Sequence, residues 1–150
     1  MPLPTTYRHA TRDWQSFLND AKEQMNLSSD NTAYTAVQGV LLAFRRRLTP
    51  AQGLAFANQL PSVLRAIFVA DWDISQPPLP WAKRDMLTAE AKALRSDHNL
   101  TPDNAIEATA RALRAHVRQV DFDRMLAKLP QEARDYCHVE RAEHIVRRIT

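Results

Sequence analysis

The chain has 150 residues, 20 Lys and Arg against 17 Asp and Glu, a formal net charge of +3 and a hydrophobic share of 45%. That is a globular composition with room for one core, or for two small halves sharing one, and the charge is too mild for a dedicated nucleic-acid binder. Two glycines against nine prolines argue against β-hairpins and phosphate-cradling loops as main building blocks, and a single cysteine excludes an internal disulfide.

The first residues, "MPLPTTYRHATRDW", hold no apolar leader core, and no apolar run of membrane-spanning length follows. The expectation is a cytoplasmic protein without a membrane segment. A first helix is predicted from about Thr11 to Met25, where Trp14, Phe17, Leu18, Ala21 and Met25 form one apolar stripe. After the break "NLSSDN", a second helix covers Asn31 to Arg47, with Ala33, Val37, Val40, Leu41 and Phe44 on one face. Thr49-Pro50-Ala51-Gln52 has the form of a capping box with proline at the first helical position, opening a short third helix that ends near Leu60. Pro61 cannot continue that helix but can open a fourth, so Leu60-Pro61 reads as a corner between two short helices.

Asn26 to Leu48 aligns with Asn99 to Asp121 at an offset of 73, and after a four-residue deletion Leu60-Pro61 and Arg65 align with Leu129-Pro130 and Arg134. Thr101-Pro102 looks like a second cap-plus-proline start, and Ala110, Leu113, Val117 and Val120 continue the apolar stripe. The expected fold is all-α: two tandem pseudo-repeated four-helix units in one domain, plus a C-terminal helix. The units cover about 11–70 and 83–138, joined by a Pro-rich linker at 71–82 that holds Trp72 and Trp81. A closing helix spans 139–149.

"AFANQLPSVLRAIFVADWD" (Ala55 to Asp73), preceded by "AVQGVLLAFRRRLTPAQ", resembles the signature of the bacterial domain of unknown function 2267 family. The resemblance extends over nearly the whole chain, with Leu129-Pro130 as a degenerate second copy. Phe68-Val69 and Ala70-Asp71 depart from the aromatic pair and the glycine common there. The resemblance implies an all-helical fold and no particular activity.

The search for chemistry is mostly negative. Two glycines fourteen residues apart cannot form a nucleotide-binding loop, so no cofactor is expected. "CHVERAEH" brings Cys137, Glu140 and His144 to one helical face, yet lacks the spacing of established zinc motifs, and no metal site is expected. Ser28, Ser29, Ser62 and Ser75 sit at caps or turns, His116 at the core edge, and no catalytic residue is assigned. Arg111, Arg114 and Arg118 read as one stripe on the sixth helix, a self-compensated face or a surface for nucleic-acid phosphates. Arg65 and Arg134 read as caps of helix-end carbonyls, or as a shared anion site.

No biochemical function follows from these residues alone. The favoured expectation is a non-catalytic protein that binds another protein or itself, through Trp81 and Trp72. The alternative is weak, backbone-directed nucleic-acid binding through the arginines.

Overall fold

The computed structural model describes residues 3–94 and 100–140. Those residues form nine α-helices and no strand. They are α1 (Thr5–Arg8), α2 (Ala10–Gln24), α3 (Asp30–Arg45), α4 (Pro50–Ala57), α5 (Ser62–Val69), α6 (Arg84–Leu94), α7 (Ala105–Arg114), α8 (Gln119–Leu126) and α9 (Gln131–Tyr136).

Local sequence chemistry sets most boundaries. Asn26 takes a left-handed φ of 55° after α2, and Leu27 N–H donates to Lys22 O at 2.9 Å, closing a Schellman turn that asparagine tolerates. Ser29 then caps α3 by accepting from Thr32 N–H at 3.1 Å. The capping box at Thr49 and Gln52 is formed in both directions, with Pro50 opening α4. Pro61 and Pro130 stand at the N-caps of α5 and α9, each with ψ of 155°, so the chain turns at Leu-Pro both times. Leu60 and Leu129 are buried at these corners.

A buried aromatic spine fills the centre. Phe44 stacks near Phe56 and Tyr136 with centroids 4.8 and 4.9 Å away, and Phe56 meets Phe68 at 4.9 Å and Phe122 at 5.9 Å. Tyr136 also donates its hydroxyl to Val40 O at 2.7 Å, which satisfies the one polar atom that the spine brings inside. Helices α3 and α6 approach closely where Gly39 faces the backbone of Ala91.

The proline-rich segment is pinned rather than loose. Leu79 N–H donates to Arg46 O at 2.9 Å, Arg47 Nε donates to Pro80 O at 3.2 Å, and Trp81 packs against Phe44 and Tyr136.

Three expectations fail. Thr101-Pro102 does not cap a helix: Thr101 is buried, and α7 begins at Ala105 after the N-cap Asn104. Val120 is 71% exposed because α7 stops at Arg114 and Val120 belongs to the next helix, α8. The offset of 73 does not superpose helix ends. From the C-terminal end of α3 onward a displacement of 69 does, carrying Arg45 to Arg114, Pro50–Ala57 to Gln119–Leu126, and Ser62 to Gln131, whereas the start of α3 finds no match at it. The four-residue difference therefore falls before Arg114, not after it. Of the closing helix expected over 139–149, Val139 and Glu140 are described, and neither is helical. Val139 is buried, and the rest lies outside the described residues.

Candidate functional site

Each long central helix ends in an arginine that turns inward. At the end of α7, Arg114 donates Nε to Cys137 O and Nη1 to Asp123 Oδ1, both at 2.9 Å, and its guanidinium carbon lies 5.2 Å from the Phe122 ring centre. At the end of α3, Arg45 donates Nη1 to Phe68 O at 2.8 Å and to Ala70 O at 2.9 Å, beneath the Trp72 ring at 5.5 Å. Both arginines reach a carbonyl 23 residues further along. The guanidinium-over-aromatic contact adds attraction in each case.

The two corners differ in charge as well as in the nitrogen that reaches the carbonyl, Nη1 of Arg45 and Nε of Arg114. Arg114 has a carboxylate partner in Asp123 on α8. Displacement by 69 puts Leu54 of α4 in the place of Asp123, and Leu54 is 57% exposed. Arg45 makes no ion pair among the described residues, and its Nε, fully buried, has no hydrogen-bond partner there. Burial pulls the Arg45 guanidinium below its usual range, offset in part by the charge of the exposed Asp71 nearby. A buried cation held by two carbonyls and a ring is less completely neutralised than one that also meets a carboxylate.

Arg65 and Arg134 perform a second, matching task. Arg65 donates to Ala57 O and Leu60 O at 3.2 and 3.4 Å, and Arg134 to Ala127 O and Leu129 O at 3.3 and 2.9 Å. Each supplies donors to the last carbonyls of the short helix before it, where a cation also suits the macrodipole. Arg134 additionally holds Gln131 Oε1 at 2.6 Å.

The stripe expected of Arg111, Arg114 and Arg118 does not exist. Arg111 pairs with Glu107 at 3.4 Å and donates to Glu140 O at 3.1 Å. Arg114 is buried, and Arg118 lies beyond α7 at the N-cap of α8, exposed and 3.4 Å from Asp121. The helix ends too early to keep all three on one face.

The two tryptophans expected to meet a partner stand in different surroundings. Both are half-buried. Trp81 joins the aromatic spine, whereas Trp72 lies on the surface of the first corner, against Phe68, Arg45 and Gly53. No hydrogen bond from the Trp72 indole N–H occurs among the described residues.

Elsewhere, His116 Nε2 lies 2.7 Å from Asp20 Oδ2 in a buried pair that ties the end of α7 to α2. Cys137 is buried and its thiol is pushed up to about 12, chiefly by burial, so it is poorly suited to nucleophilic or redox work. Burial likewise raises the Tyr136 phenol. No group of three metal-ligating side chains occurs among the described residues, and His144 lies outside them. An apolar groove of about 550 Å³ runs between α2, α3 and α5, lined by Tyr7, Tyr34, Val63 and Ile67.

The residues that sequence reading missed are Arg45, Leu54 and Asp123. The signal was present as the matched spacings to Phe68 and Cys137, but it appears only at the displacement of 69.

A family profile described as "Uncharacterized conserved protein (DUF2267)" matches residues 14–136. The chain belongs to that family. No curated protein matches it. No helix among the described residues is long and apolar enough to cross a membrane.

Proposed function

We propose that this member of the family is a non-catalytic interaction protein that receives an apolar segment of a partner protein at its first Leu-Pro corner. The carrying observation is the exposure of Leu54 and Ile74, at 57% and 63%: Leu54 follows Gly53, on which the half-buried Trp72 rests, and Ile74 lies two residues after Trp72. Trp72 rests on Gly53 with the Arg45 guanidinium 5.5 Å from its ring centre. A tryptophan and an arginine set among apolar side chains form the composition of an interface hot spot.

The reading includes an origin for the corner. The chain is a tandem duplication of one helical unit in a bacterial, cytoplasmic protein, and the two corners have diverged. The second offsets the charge of its arginine with Asp123, and the first presents Leu54 instead. The matched helix ends at a displacement of 69 support this origin.

Backbone-directed nucleic-acid binding is the weaker reading. It needs a continuous basic face, and Arg111, Arg114 and Arg118 stand in three different environments.

Selection from a random peptide library against the native protein tests the proposal, with sedimentation over a range of concentrations to detect self-association. Enriched apolar peptides, or a mass that rises with concentration, are expected, and both should be lost in Trp72→Ala and unchanged in Val120→Ser on α8. Binding that survives Trp72→Ala would overturn the placement. Tight, salt-sensitive binding of a mixed-sequence DNA duplex would overturn the class.

A further inference from the structure

We infer that the first corner is also a carboxylate receptor: the Arg45 guanidinium takes an acidic side chain of the partner segment, which supplies the negative charge that Asp123 supplies to Arg114. The inference rests on the interaction reading above and adds the chemistry of the ligand. Arg45 and Arg114 each end a helix, each reach the carbonyl 23 residues further on, through Nη1 and Nε respectively, and each lie against an aromatic ring. Arg114 holds its carbonyl through Nε and Asp123 Oδ1 through Nη1, at 2.9 Å each, whereas Arg45 gives Nη1 to two carbonyls, makes no ion pair and keeps a buried Nε without a partner among the described residues. The residue at the equivalent point of α4 is Leu54, which is exposed, so the missing carboxylate has to come from outside α4.

Two candidates exist for that carboxylate. Asp71 follows α5, with a left-handed φ of 55°, and acts on Arg45 through its charge without forming an ion pair. A partner's Asp or Glu is the other, and the observations favour it. Asp71 is exposed and Arg45 lies under Trp72, so the segment that carries Asp71 already covers the guanidinium with a ring rather than a carboxylate. Arg45 is 9% exposed, an opening that suits a single side-chain carboxylate rather than a nucleic-acid backbone. An arginine can bind such a group through two parallel N–H donors.

The probe is sodium acetate, titrated at constant ionic strength against sodium chloride. The readout is the side-chain Nε–H signals of Arg45 and Arg114 and the indole N–H of Trp72 by nitrogen-15 NMR. Acetate should shift the Arg45 and Trp72 signals saturably and leave Arg114 unmoved. Leu54→Asp should show the shifted Arg45 signal without acetate and respond to it no further. Three results would overturn the inference: no saturable shift at Arg45, an equal response at Arg114, or a native Arg45 signal that changes in Asp71→Asn as it would on losing an internal partner. If acetate fails while peptide binding is still lost in Trp72→Ala, the carboxylate is wrong and the interaction surface stands. If peptide binding fails as well, both are wrong.

Discussion

Arg47 grips Glu90 with both ends of its guanidinium, Nη1 to Oε2 at 2.7 Å and Nη2 to Oε1 at 2.8 Å. The same arginine, just past the end of α3, donates to Ala43 O on that helix and to Pro80 O in the linker, so one side chain ties α3, α6 and the proline-rich segment together. Arg46 approaches Glu90 as well, at 3.3 Å. The pair is largely withdrawn from solvent, with the Arg47 side chain 5% and the Glu90 side chain 22% exposed. Charge-assisted, two-pronged bonds in such a setting are the strong ones.

Glu90→Gln is therefore expected to lower stability at neutral pH by about 1.5–3 kcal/mol. The hydrogen bond from Arg47, more than any other influence, holds the Glu90 carboxyl below its ordinary range. A depressed acid stabilises the fold fully above its unfolded value, about 4.3, and loses that contribution as pH falls through the depressed folded value. Denaturant titrations across this range should show wild type and Glu90→Gln far apart at pH 7 and converging in acid. A constant gap would mean that the pair contributes through packing alone.

The Leu-Pro corners should behave as pivots of the core. Leu60 and Leu129 are 3% and 5% exposed, and truncation of a buried leucine costs about 2–5 kcal/mol. Leu60→Ala and Leu129→Ala should each lower the melting temperature by several degrees or more. A melt unchanged by either would remove that corner from the core.

Much of this fold was legible because local chemistry and packing agree. The caps at Thr49, Pro61 and Pro130 need only neighbouring residues, and the stripe through Phe17, Leu18, Ala21 and Met25 needs only helical periodicity. The second half was harder to read because α7 is shorter than α3 at its start. Aligning Asn99 with Asn26 by residue type hides the register in which Arg114 matches Arg45. The first corner was not legible at all. Nothing in a one-dimensional pattern says that Arg45 points inward and Arg46 outward, or that Gly53 is small so that an indole can lie on it. In the sequence Trp72 and Trp81 look alike, two large apolar groups in one irregular segment. Which of them joins the spine depends on where the segment is pinned, at Arg46 O and Arg47 Nε.

Thr109 offers a test of polar satisfaction inside the core. Its hydroxyl is buried and has no hydrogen-bond partner among the described residues, and it borders a small internal cavity of about 20 Å³ whose lining includes Phe44, Ile106 and Tyr136. An unsatisfied buried hydroxyl costs about 1–3 kcal/mol, and an apolar group of the same shape does not carry that cost. Thr109→Val should raise the melting temperature, and a clear loss of stability would show that the hydroxyl has a partner in solution.

The two glycines make the sharpest contrast, since each is a contact point with a different kind of neighbour. A Cβ at Gly39 would lie 2.4 Å from Ala91 O, a backbone atom of α6. That helix is fastened by Glu90 to Arg47 and cannot retreat alone, so Gly39→Ala should push α3 and α6 apart. Overpacking of this kind costs about 1–3 kcal/mol, more than the gain of up to about 1 kcal/mol from replacing glycine within a helix. A Cβ at Gly53 would lie 2.1 Å from Trp72 Cη2, a side-chain atom on a half-buried ring outside any helix. Trp72 can swing away, and the helical gain in α4 offsets part of its lost contact with Phe68 and Arg45. Gly39→Ala should therefore melt well below wild type with its Trp72 signals unchanged. Gly53→Ala should melt close to wild type with Trp72 emission shifted to the red, read as the difference from a Trp72→Phe background because Trp14 and Trp81 also emit. Should Gly53→Ala instead unfold the protein without a red shift, Trp72 is fixed in the core and the first corner has no movable ring to offer a partner.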